Sequence, residues 1–135
     1  MIEKAVQSML TTGTPGTTLP SALSTAVGGR ISLGSRLQLE GLPCVYFDVT
    51  ADDTAVIGTR KALATVEVRS IADEPGEALT NADLVLAALN RSGTFATVTI
   101  NAVIYKGRTL DTMTVGEGDE HRPSVAVSTF EVLYG

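Results

Sequence analysis

Along the first residues of the chain, Ile2, Ala5, Val6 and Met9 recur at helical spacing while Glu3, Lys4, Gln7 and Ser8 turn the other way. That period predicts a short amphipathic helix over residues 2–11. The stretch "TTGTPGTTLP" breaks it. Pro20 suits the first turn of a second short helix carrying Leu23 and Val27, which Gly28-Gly29 would end by accepting the positive φ of a cap. From Arg30 the period falls to two. "RISLG" predicts a brief strand, and "PCVYFDVT" alternates Val45, Phe47 and Val49 against Tyr46, Asp48 and Thr50, as a half-buried strand does. "ADDTAVIG" is an irregular polar excursion, read as a long loop or protruding hairpin end. "KALATVEVRS" alternates again, with Ala64, Val66 and Val68 on one face and Thr65, Glu67 and Arg69 on the other.

The strongest local signal is "DEPGEALTNADLVLAALN". Asp73 suits an N-cap, Pro75 falls in the first turn, and acidic residues crowd the positive end of the helix dipole. A helix of about four turns follows, with Ala78, Leu79, Ala82, Val85, Leu86 and Leu89 in a stripe roughly 120° wide. Leu84 lies off that stripe, either as an ordinary exposed leucine or as part of a contact between subunits. Beyond the helix, "TFATVTINAVIYKG" predicts a strand with Ala96, Val98, Ile100, Ala102 and Ile104 inward. "RTLDTMTV" predicts a further strand, "GEGDEHRP" a turn, and "SVAVSTFEVLY" the last strand, the three strands forming an antiparallel meander.

Helix, helix, three strands, helix and three strands is an α+β order, not the regular alternation of a parallel fold. It predicts one domain over residues 1–135. The architecture expected is a mixed, mainly antiparallel sheet of about five to six strands, with one long helix packed on it and one or two short N-terminal helices. Composition agrees. Of 135 residues, 44% are hydrophobic, and the 18 Thr, 14 Val and 6 Ile supply a β-branched excess, whereas aromatics make up 4%. The core is expected to be aliphatic.

A net charge of −5 argues against a nucleic-acid footprint, because the ten basic residues are scattered and only Arg60 and Lys61 adjoin. The single cysteine, Cys44, excludes an internal disulfide and reads as a small buried hydrophobe in a reducing compartment. The N-terminus lacks the pattern of a secretory signal, and no stretch approaches the ~18 apolar residues of a membrane span. A cytoplasmic site of synthesis and action is expected, in which the sequon Asn90-Arg91-Ser92 is idle.

Candidate chemistry is thin. A hydrolase reading would use His121 as base, oriented by Asp119 or Glu120, with Ser124 or a distant hydroxyl as nucleophile. Those residues sit at a glycine-bounded tip, where a base has no buried partner to hold it. One His and one Cys do not make a zinc site, and the acids of "DVTADD" and "GEGDE" lack the frame of a calcium loop. "GTPGTT" lacks the lysine of a phosphate loop and follows a helix. No catalytic residue, metal or cofactor is expected. A small acidic α+β domain without convergent catalytic groups suits a subunit that works through sheet edges and loop tips.

The order of elements also resembles the tail-terminator, or tail-completion, proteins of long-tailed bacteriophages, over nearly the whole chain. The resemblance rests on the N-terminal helix leading into "GGRIS" and on the Pro-led apolar strand "LPCVYFDV". It rests also on the strand and acid-Ala helix of "ATVEVRSIADEPGEALTNADLVLAAL", and on the closing hairpin "LDTMTVGEGDEHRPSVAVSTFEVLY", with Asp111 before its turn and Arg122 after it.

The resemblance implies a non-enzymatic virion protein, assembled in the host cytoplasm and located at the tail and neck. It implies a ring, usually of six copies, that caps the finished tail tube, stops its polymerisation and offers a docking surface to the head or neck. Its partners would be copies of itself, the tail tube protein and a head-closure or neck protein, with DNA passing through the lumen and neither membrane nor sequence-specific nucleic acid bound. A closed ring needs two different complementary surfaces on each subunit. Arg60, Lys61, Arg69 and Arg122 are candidates to meet Asp52, Asp53, Glu117, Asp119 and Glu120 across such a contact, with His121 and Leu84 as further candidates. Other readings are a different head–tail connector component, a binding module, or a small enzyme with an unrecognised site.

Overall fold

A computed structural model describes residues 2–13, 19–34, 41–52, 62–112 and 123–135. The excursion "ADDTAVIG" from Asp53 onward and the turn "GEGDEHRP" up to Arg122 lie outside the described residues.

The N-terminal helix α1 runs Ile2–Thr11 and buries the expected Ile2, Ala5, Val6 and Met9, with Leu10 beside them. Helix α2, Ala22–Ala26, starts after Pro20, which therefore does not occupy its first turn. Ser21 is the N-cap, its Oγ accepting from the Ser24 N–H at 3.0 Å and donating to the Leu10 carbonyl at 2.5 Å. One hydroxyl thus satisfies an orphan donor of α2 and ties it to the end of α1. Pro20 lies before the cap, bridged to Thr12. Gly28 and Gly29, at φ 60° and 76°, turn the chain out of α2 as the sequence predicts.

The strands are β1 (Ile31–Leu33), β2 (Cys44–Asp52), β3 (Ala62–Ala72), β4 (Gly93–Phe95), β5 (Val98–Thr112) and β6 (Ser124–Tyr134). Among the described residues they form one sheet in the order β1-β2-β3-β6-β5-β4, parallel between β1 and β2 and antiparallel elsewhere. Helix α3, Pro75–Leu89, follows β3 and packs on β3 and β6. The fold is α+β, a mixed and mainly antiparallel sheet with one long helix and two short ones.

All three helices cover one face. Val45 and Phe47 of β2, Ala64, Val66 and Val68 of β3, and Phe130 and Val132 of β6 meet the apolar faces of α1 and α3 in one core. The alternation expected of β2 and β3 is observed. On the other face Cys44, Tyr46, Ile71 and Val125 form a second buried cluster, so Tyr46 does not lie on an open polar face as the pattern suggests. Helix α3 begins one residue later than expected, with Glu74 at the N-cap and no side-chain cap. Its buried stripe runs Ala78, Asn81, Ala82, Val85, Ala88 and Leu89, while Leu79 and Leu86 are half-buried at its margin.

The largest departures fall between Gly93 and Thr112. The segment "TFATVTINAVIYKG" is not one strand, because Ala96 and Thr97 take positive φ (47° and 68°) and fold β4 back on β5. Nor do "IYKG" and "RTLDT" belong to separate strands: β5 runs through Gly107 to Thr112. Two bulges, between Ile100 and Ala102 and between Tyr105 and Gly107, reset which face its side chains occupy. Ile100 is buried against the helices. After the first bulge Val103 and Tyr105 share that face, opposite Val132 and Phe130, whereas Ala102 and Ile104 point the other way and are exposed. The expectation of an inward Ala96, Ala102 and Ile104 therefore fails. One extra residue inverts every later position of a period-two pattern.

Candidate interaction surface

Most of the charged residues that the sequence nominates for a contact between copies lie outside the described residues: Asp53, Arg60, Lys61, Glu117, Asp119, Glu120, His121 and Arg122. Asp52 closes β2. Leu84 is half-buried, packed against the core rather than exposed, because α2 docks on that side of α3. Arg69 is brought together with acids of its own chain. Its guanidinium donates to Asp48 Oδ2 at 2.7 Å and to Glu67 Oε1, all three side chains on the face away from the helices.

The buried Cys44 sits at the start of β2. Burial raises its thiol pKa from an ordinary value of 9.0, opposed by a hydrogen bond with Tyr46 and by the charge of Arg30. A thiol so placed is protonated at neutral pH and behaves as the small hydrophobe the composition suggests. Arg30, which opens β1, lies over two glycines. A Cβ at Gly28 or at Gly41 would come within 2.9 Å of its side chain. Its Nε donates to the Pro43 carbonyl at 2.9 Å, next to the cis Leu42-Pro43 bond.

A cleft of about 150 Å³ opens between the end of α1 and the α2–α3 pair, lined by Ser21, Leu23, Leu84, Ala88 and Arg91 among others. Among the described residues its one charged lining group is Arg91, and that guanidinium is committed to backbone carbonyls: Ala88 at 2.8 Å, Gly13 at 2.6 Å, Met9 at 2.5 Å and Thr12 at 3.0 Å. Burial lowers its pKa. Among the described residues the cleft offers a mainly apolar lining without a free acid or base. Sequence reasoning passed over Arg91 as part of an idle sequon; the signal was a basic residue just past a helix C-terminus, where orphan carbonyls gather.

The other feature with interaction chemistry is the rim of the sheet. β4 covers β5 only from Val98 to Ile100, and β1 covers β2 only from Val45 to Phe47. Beyond them, among the described residues, β5 is paired with β6 alone and β2 with β3 alone. Among the described residues, no other strand pairs with the backbone donors and acceptors on those outer sides, the kind of edge that another strand can extend. Ile104, Tyr105 and Leu110 stand exposed along the free part of β5, beside Lys106 and Arg108.

The described residues thus define an α+β fold with a mixed six-stranded sheet whose two rims are only partly covered. No family model matches the chain, and no curated protein matches it. Solved structures do. A chain of "Virion of native gene transfer agent (GTA) particle" shares the fold at a TM-score of 0.65 and 14% identity, over 97% of this chain and 92% of that one.

Proposed function

We propose that this chain is a structural virion protein that forms a ring, of six copies, at the head-proximal end of a phage-type tail tube. There it ends tube polymerisation and offers the surface to which head or neck docks. The observation that supports the reading is the near-complete match, in both directions, to a chain of a phage-like virion. The match spans 97% of this chain and 92% of that one, and the order of elements resembles that of the tail-terminator proteins. Function is not dictated by fold. The two open rims add an independent argument, since a closed ring requires two unlike surfaces on each subunit.

The test is reconstitution. The purified chain is mixed with tail tubes and imaged by negative stain, alongside native mass spectrometry of the chain alone and with tubes. The expected result is a ring of six with a central hole, seated on one end of each tube, and tubes of uniform length that no longer elongate when tube protein is added. Binding to isolated heads with no effect on tube growth would instead mark a head-closure subunit and overturn the proposal.

A further inference from the structure

We propose that the free edge of β5, from Ala102 to Thr112, is the surface on which a second copy of this chain docks, and that it meets the opposite rim of the sheet, formed by β1 and the free end of β2. The inference deepens the ring reading above and rests on it. Four observations carry it.

The first is backbone. β5 extends past β4 and β2 extends past β1, so each rim presents a row of main-chain groups with one side unpaired among the described residues. The second is the distribution of apolar surface. Among the described residues, Ile104 (52% exposed), Tyr105 (41%) and Leu110 (43%) lie on β5 and Leu33 (49%) on β1, leaving only Leu19 of the exposed large apolar side chains elsewhere. Exposed apolar residues are ordinary when scattered; here they sit on the two edges that lack a neighbour.

The third is charge. The free part of β5 carries Lys106, with Arg108 beyond it turned to Asp83 of α3 at 2.8 Å, and the free part of β2 carries Asp48. Lys106 holds Glu131 at only 3.7 Å and its side chain stays half exposed, as does that of Asp48 beside Arg69. Cations and bulges on an edge are devices against indiscriminate strand pairing, so an edge so guarded selects a partner with acids at matching positions. The fourth is direction. Three antiparallel steps separate β2 from β5, so the two run in opposite senses, and β1 runs with β2. A neighbouring copy generated by rotation about an axis along the strands therefore brings its β2 or β1 antiparallel to the β5 of the first. The contact joins two different surfaces, as a closing ring demands.

The experiment uses the full chain with tail tubes. Ile104→Asp and Leu33→Asp change exposed side chains on the two rims, and circular dichroism and urea unfolding check that each monomer folds. Each is expected to reduce ring assembly at least tenfold. For geometry, a chain with Ile104→Cys is mixed with one carrying Thr50→Cys or Leu33→Cys, and disulfide cross-linking is read by mass. Cross-links between position 104 and position 50 or 33, without 104–104 links, are expected. Rings that form normally with Ile104→Asp, or 104–104 links alone, overturn the proposal while the ring reading stands. Cross-links from 104 to 33 or 50 without any ring keep the contact and overturn the ring. No association of the unmodified chain, alone or on tubes, overturns both.

Discussion

At the scale of single residues, Asp48 and Glu67 present an electrostatic problem that the fold has to solve. They are direct cross-strand partners on β2 and β3, two carboxylates on one face, and like charges so placed destabilise a sheet. Arg69, two residues along β3 from Glu67 and on the same face, donates to both. An isolated exposed ion pair is worth little, but here removing the cation leaves two acids facing each other. Arg69→Ala is therefore expected to cost about 1 kcal/mol in urea unfolding at low salt, and less at high salt. Adding Glu67→Gln to Arg69→Ala is expected to recover most of that loss. Strict additivity of the two substitutions would show that the three side chains are not coupled. Alternation in "TVEVRS" placed Glu67 and Arg69 on one face from the sequence alone. That Asp48 joins them was not legible, because it depends on a register set across two strands.

At the scale of elements, what could be read and what could not divide along the reach of the forces involved. α1, α3, β2 and β3 declare themselves because each carries a single unbroken period with local boundary signals, such as Pro75 opening α3 and Gly28-Gly29 after α2. The β4–β5 hairpin does not. Two-residue hairpin turns with positive φ at both positions favour Asn-Gly, and this one is built from Ala96 and Thr97. A β-branched residue at φ 68° is strained, at a cost of about 1–2 kcal/mol. The turn persists because Phe95, buried just before it, and Ile100, buried just after it, are both anchored in the core. Thr97→Gly is accordingly expected to raise stability by about 1 kcal/mol, measured by denaturant midpoint with an unchanged slope. A loss of stability would mean that the threonine side chain contributes something beyond the turn. The bulges of β5 escaped the sequence reading for a related reason. Gly107, at φ 145°, looks like a turn residue in "IYKGRT", but it stands beside an inserted residue within a continuous strand.

At the scale of the whole molecule, the helical layer has to be held to both ends of the sheet, and α1 does this by touching β1 at one rim and β4 at the other. A ten-residue helix is too short to be stable alone, so its position depends on what receives it. Beyond the core contacts of Ile2, Val6 and Met9, the receiving group is Arg91. Its guanidinium bonds the last carbonyls of α1 and the chain just after it, together with a carbonyl at the end of α3, and it lies 5.2 Å from the centroid of the Phe95 ring. One side chain thereby ties α1, α3 and β4 at a single point, using carbonyls that the helix ends leave without partners. Lysine cannot copy this, because a compact ammonium on a flexible stem does not present a planar fork of donors. Arg91→Ala is expected to destabilise the fold by about 2–3 kcal/mol, and Arg91→Lys to recover less than half of that. Hydrogen exchange gives the discriminating readout. Amides of α1 and of Gly13 should lose protection in the variant, while those at the centre of β3 and β6 change only as much as global stability does. Uniform loss across the chain would show that Arg91 acts as an ordinary core contact, and unchanged stability would show that the apolar face of α1 is sufficient to dock it.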